Sequence, residues 1–112
     1  MKRVLGVLCL TLLLAVFASG LSLAAKPTVV TTIYPLYDFT RQVVGDKADV
    51  VLLVPAGAEP HDWEPAPADM IKIRNAKMFV YNGASMEGWS DNLQGSVLLG
   101  KNVVKASDYV TV

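Results

Sequence analysis

One cysteine and one histidine in 112 residues leave few chemistries open. A lone cysteine forms no internal disulfide, and without a CxxC pair there is no thiolate metal site. No GxSxG elbow offers a serine nucleophile. Neither sign of charge dominates, with ten basic side chains against ten acidic ones, and that balance argues against a nucleic-acid binder. Disorder is excluded too, because 53% of the residues are hydrophobic and only 18% are charged. The length admits one small domain at most, since domains run to roughly 100–200 residues.

The apolar residues are unevenly spread. Lys2 and Arg3 precede an almost unbroken apolar run from Val4 to Phe17. Ser22-Leu23-Ala24-Ala25 then supplies small residues where a signal peptidase cuts, after Ala24 or Ala25. The run is shorter than the ~20 residues that span a bilayer, and no basic stop-transfer flank follows it. Residues 1–25 therefore read as a cleaved export signal, and the mature chain is expected in the periplasm or another extracytoplasmic space. Cys9 lies inside the run after Leu8, not after the Gly or Ala that usually precedes a lipid-modified cysteine. Cleavage removes Cys9, Lys2 and Arg3, leaving eight basic against ten acidic residues and a net charge of −2. No polybasic surface for a membrane or a phosphate remains.

Residues 26–112 alternate short apolar runs with helical stretches. Thr28–Ile33 is rich in β-branched residues and reads as a strand. Leu36–Val44 places Leu36, Phe39, Val43 and Val44 on one helical face, with Gly45 as its C-cap. Val50–Val54 is continuously apolar, as expected of a strand buried on both faces. Pro67 suits the first position of a second helix, Asp69 its first turn, and Met70, Ile71, Ile73 and Ala76 its buried side. Met78–Tyr81 is a third strand, closed by the turn pair Asn82-Gly83. Ser85 is placed to cap a short helix through Trp89 and Leu93. A fourth strand falls at Val97–Leu99 or, by preference, Asn102–Lys105. The pattern is α/β: a parallel sheet with helices on both faces. Three short helices would barely cover four strands, and Tyr109-Val110-Thr111-Val112 ends the sequence without a cap or polar tail, so a truncated chain is expected.

The only histidine sits in Pro55–Asp69, a stretch carrying four prolines, each of which fixes φ and extends the residue before it. Loops after the carboxyl end of a parallel strand are where α/β proteins bind ligands. A neutral imidazole is the commonest transition-metal ligand, and a stiff mount lowers the entropy lost on coordination. Asp62 or Glu64 is placed to orient the His61 ring by accepting its free N–H. Trp63 either dries the site or plugs the core. Taken alone, one histidine and scattered carboxylates fit a solvated loop more readily than a metal site.

The string Ala58-Glu59-Pro60-His61-Asp62-Trp63-Glu64-Pro65-Ala66-Pro67-Ala68-Asp69 resembles the PH-x-aromatic-EP-x-P-x-D motif of the cluster A-I (cluster 9) substrate-binding proteins, which serve ABC importers of zinc and manganese. Thr31-Thr32-Ile33-Tyr34-Pro35-Leu36 is similar to that family's first strand and turn. Asn82-Gly83-Ala84-Ser85-Met86-Glu87-Gly88-Trp89 is similar to its NG-x-x-x-E-x-W segment. The resemblance implies a two-lobed α/β receptor with metal in the cleft between lobes joined by a long helix. Residues 26–112 would be its N-terminal lobe, and His61 the first metal ligand. The other three ligands would lie beyond Val112. The implied cargo is Zn2+, with Mn2+ as the alternative, and the implied partner is an ABC transporter membrane permease served by a monomeric receptor that catalyses no reaction. Ala66 stands where the family often has Ser or Thr, a lost cap worth roughly 0.5–2 kcal/mol.

Two other readings stay open on the residues. Glu87 and Trp89 are expected to be structural, packing their segment against the sheet, and Tyr34 and Pro35 either line the cleft or shape a turn. A small secreted metal-dependent hydrolase would use His61 with Asp62 or Glu64 as base, but neighbours on an extended loop point apart. The remaining reading is a nonfunctional fragment.

Overall fold

The computed structural model describes residues 24–111, together with Met1 and Val4. The export-signal reading rests almost wholly on residues outside these. Among the described residues no helix is long and apolar enough to cross a membrane.

Four short strands, β1 (Thr28–Thr31), β2 (Asp49–Leu52), β3 (Met78–Tyr81) and β4 (Asn102–Lys105), form one parallel sheet in the order β2-β1-β3-β4. Thr28 pairs with Asp49, Val29 with Met78, and Met78 with Asn102. Helix α1 (Tyr34–Val44) follows β1, and helix α2 (Pro67–Asn75) follows β2. Proline enters α1 in its first turn, and the helix ends at Gly45, whose φ of +55° a residue with a Cβ rarely adopts. Pro67 opens α2. With Ala66 unable to cap, the Asp69 carboxylate reaches back to the Ala66 N–H at 3.2 Å and also pairs with Lys72 at 2.8 Å. At the far end Lys101 Nζ donates to the carbonyls of Arg74 and Ala76, satisfying groups that the helix end leaves open.

Parallel crossovers are right-handed. The step β1–α1–β2 moves one way across the sheet, and the steps β2–α2–β3 and β3 to β4 move the other way. Helix α1 therefore lies on one face, while α2 and the segment before β4 share the opposite face. On that shared face Val30, Leu53, Ile73, Ala76, Phe79, Tyr81 and Leu98 form the buried cluster, and Trp63, Trp89 and Leu93 pack against it. On the other face α1 packs over β1 and β2. Beside it a groove of about 460 Å3 runs between Phe39 and Val43 of α1 and Met78, Val80 and Val104 of the sheet.

Three sequence expectations need correction. The apolar run from Val50 is not a strand buried on both faces: β1 and β3 take the centre, β2 is an edge, and Val50, Val51 and Leu52 are half-buried. Its two fully buried residues, Leu53 and Val54, lie just past the strand. Ile71, expected on the buried side of α2, is 57% exposed, because that helix turns only Ile73 and the following Ala76 fully inward. Ser85 caps no helix. Ala84 and Ser85 have φ of +50° and +67°, which no right-handed helix or N-cap accommodates. Turns run from Ala84 to Gly100, broken by one 3-10 turn at Asp91–Leu93.

Candidate metal centre

The order β2-β1-β3-β4 reverses direction between β1 and β3, and open parallel sheets bind ligands outside their carboxyl ends at such a point. The loop after β2 lies at that end. It leaves the sheet at Val54, turns with Ala58 N–H donating to the Pro55 carbonyl at 3.1 Å, and turns again when Asp62 and Trp63 both donate to the Glu59 carbonyl. His61 stands at the apex of this second turn, its side chain 58% exposed.

The ring is not free to spin. His61 Nδ1 lies 2.6 Å from Glu59 Oε1, and the His61 backbone N–H approaches the same oxygen at 3.4 Å. The carboxylate accepts the Nδ1 proton, which leaves Nε2 as the nitrogen with a lone pair for a metal. The hydrogen bond from the His61 ring, helped by its backbone N–H, holds the Glu59 carboxyl below the usual carboxylate range. Glu59 thus takes the role expected of Asp62 or Glu64. The signal available in the sequence was only that Glu59 is the carboxylate two residues before His61; the turn that brings the two together is set by the backbone bonds to the Glu59 carbonyl. Among the described residues no group of three or more His, Cys, Asp or Glu side chains could hold a metal. Among these residues His61 is one donor with no further metal-ligating partner.

Trp63 plugs the core. It is half-buried against the apolar cluster, and its ring meets that of Trp89 edge-on, 5.5 Å between centroids. Tyr34 is 59% exposed and opens α1 with Pro35, and both border an apolar recess shared by Val54, Pro60 and Met86. Glu87 is 1% exposed. Its carboxylate accepts the Thr32 hydroxyl and the backbone N–H groups of Asn82 and Gly83, each of the latter at 3.0 Å. This agrees with the structural role expected for it.

A separate polar cluster lies beside β4. Tyr81 donates its hydroxyl to Asp91 at 3.1 Å and accepts from Gln94 at 2.9 Å. Burial pushes the Tyr81 phenol up, and Asp91, 3.5 Å away, raises Lys105.

Residues 29–112 match the family of the periplasmic zinc-uptake complex component A, ZnuA. The high-affinity zinc uptake system protein ZnuA of Bacillus subtilis is 52% identical over 78 residues, covering 70% of this chain and 24% of that protein. The Zn(II)-bound ZnuA-like domain of Streptococcus pneumoniae AdcA superposes with a TM-score of 0.71 at 41% identity, covering 79% of this chain and 33% of that one. A Mn-bound periplasmic metal binding protein from Candidatus Liberibacter asiaticus superposes at 0.67 with 27% identity, covering 77% and 32%. The chain spans between a quarter and a third of the length of these proteins.

Proposed function

Because the chain belongs to the ZnuA family of periplasmic zinc-uptake components, we propose that it forms the N-terminal lobe, residues 26–112, of a receptor that captures a divalent metal and delivers it to an ABC import permease. The family consists of metal-binding transport receptors, not enzymes, and the hydrolase reading of His61 with Asp62 or Glu64 is withdrawn. Residues 1–25 would direct export.

The observation that carries the reading is the Glu59–His61 pair at the apex of a proline-stiffened loop after β2, with Nδ1 engaged by the carboxylate and the His61 side chain 58% exposed. Imidazole suits Zn2+, while Mn2+ prefers more carboxylate oxygen, so Zn2+ is the first choice and Mn2+ the second. Three further ligands from other residues would close the sphere and leave no activated water, as a carrier requires. One imidazole alone binds Zn2+ weakly.

Titrating the mature 26–112 chain with Zn2+ tests this, read by the ring nitrogen resonances of its single histidine and by a competing chelator. The expected result is a weak, saturable shift at His61 Nε2 that His61→Ala abolishes without altering the far-UV circular dichroism. A response at carboxylates with the His61 ring unmoved would remove His61 from the site. A tight one-to-one complex would show that the missing ligands are not needed.

A further inference from the structure

We infer that Glu87 and Trp89 are positioning residues for His61, two points on one segment that clamp both ends of the loop carrying it. The functional sense of this rests on His61 being the metal ligand; the clamp itself is measurable without metal.

At the loop's start, Glu87 binds the Thr32 hydroxyl, and the backbone of Thr32 joins the ends of two neighbouring strands. Its N–H donates to Val80 at 3.1 Å, and its carbonyl accepts from Val54 at 2.9 Å. Val54 is the last residue before Pro55, so the carboxylate fixes where the loop departs. It also holds Asn82 and Gly83, which tie the end of β3 to the same point. At the other end, Trp89 seats Trp63, two residues beyond His61, and sits 6.3 Å from Phe79 of the core. Between the two ends, Met86 shares a recess with Pro60, the residue before His61.

The backbone that delivers these side chains is strained. Gly83, Ala84 and Ser85 run consecutively at positive φ, two of them without glycine's freedom. That path returns Glu87 beneath Asn82 and Gly83. A carboxylate held by three donors and, among the described residues, by no cation is a poor choice for filling a core, since an apolar residue would serve without the desolvation. It is a good choice for holding three strand ends in one register.

Glu87→Gln keeps the shape but offers one acceptor oxygen where two are used. In the mature chain it should speed amide exchange at Asp62 and Trp63 about 10-fold, and free the His61 ring from its single tautomer, while β1 and β3 amides exchange as before. The Zn2+ dissociation constant should rise about 10-fold, at the lower end of what outer-shell losses cost. Trp89→Phe keeps an aromatic ring and should produce the same local loosening; it decides the matter if Glu87→Gln does not fold. Folded variants whose loop exchange, tautomer and zinc constant match the parent would overturn the clamp. A parent His61 that ignores Zn2+ would instead sink the metal reading, with exchange and tautomer still judging the clamp.

Discussion

The two faces of the sheet are built from alternate residues of the same four strands, yet they end up differently. One face buries Val30, Phe79 and Tyr81 beneath α2 and the turns before β4. The other has α1 over β1 and β2 only, and leaves Phe39 65%, Val43 86% and Tyr109 79% exposed beside the open groove. Composition does not explain this, because Val29, Val80 and Val104 are as apolar as their neighbours. Handedness does: two of the three crossovers run the same way and spend their covering segments on one face. The His61 loop belongs to the well-covered side, through Trp63.

The comparison breaks most visibly at Phe79 and Phe39. Phe79→Ala on the covered face should cost about 3–5 kcal/mol in a urea titration, and Phe39→Ala on the open face within about 0.5 kcal/mol. Similar losses at both positions would mean that the open face is covered in solution. Gly83→Ala should come next, at about 1–3 kcal/mol, since φ is +76° and an added Cβ would run into Lys105 and Ser107. Glu59→Gln should leave thermal stability untouched and weaken Zn2+ binding about 10-fold, seen by chelator competition. Equal affinity would show that the ring needs no partner.

The smallest effect is expected at Tyr81 in alkali. Its phenol titrates higher folded than unfolded, so the folded state holds the proton longer. The associated stability is complete below the ordinary phenol range and fades as pH rises through the raised value. Ultraviolet titration of the four tyrosines should show one ionising after the rest. A single common transition would place Tyr81 in water.

Much of this architecture was legible in the residues. The strand at Met78–Tyr81, the second helix beginning at Pro67, the stop at Gly45 and the strand at Asn102–Lys105 follow from local signals, and His61 stood out as the only imidazole. What was not legible depends on distant partners. The apolar run from Val50 looks central until β1 and β3 occupy the centre. Ser85 looks like a cap until a buried carboxylate two residues on pulls its backbone left-handed. Glu59 looks like one more loop carboxylate until two turns fold it onto the ring. The orientation of His61 comes from Glu59, two residues back in the chain, once these turns bring its carboxylate to the ring.

The pairing of Val29 with Met78 also sets an order in time. No strand here pairs with a sequence neighbour through a tight hairpin; each pairing must close a long loop, a cost met before any contact repays it. The middle pairing is the most remote, with β2 and α2 lying between its partners. On a ribosome, β1 and β2 can meet while α2 is still being made, whereas the seat of the His61 loop cannot form until Trp89 has been added, and the sheet is complete only when β4 follows.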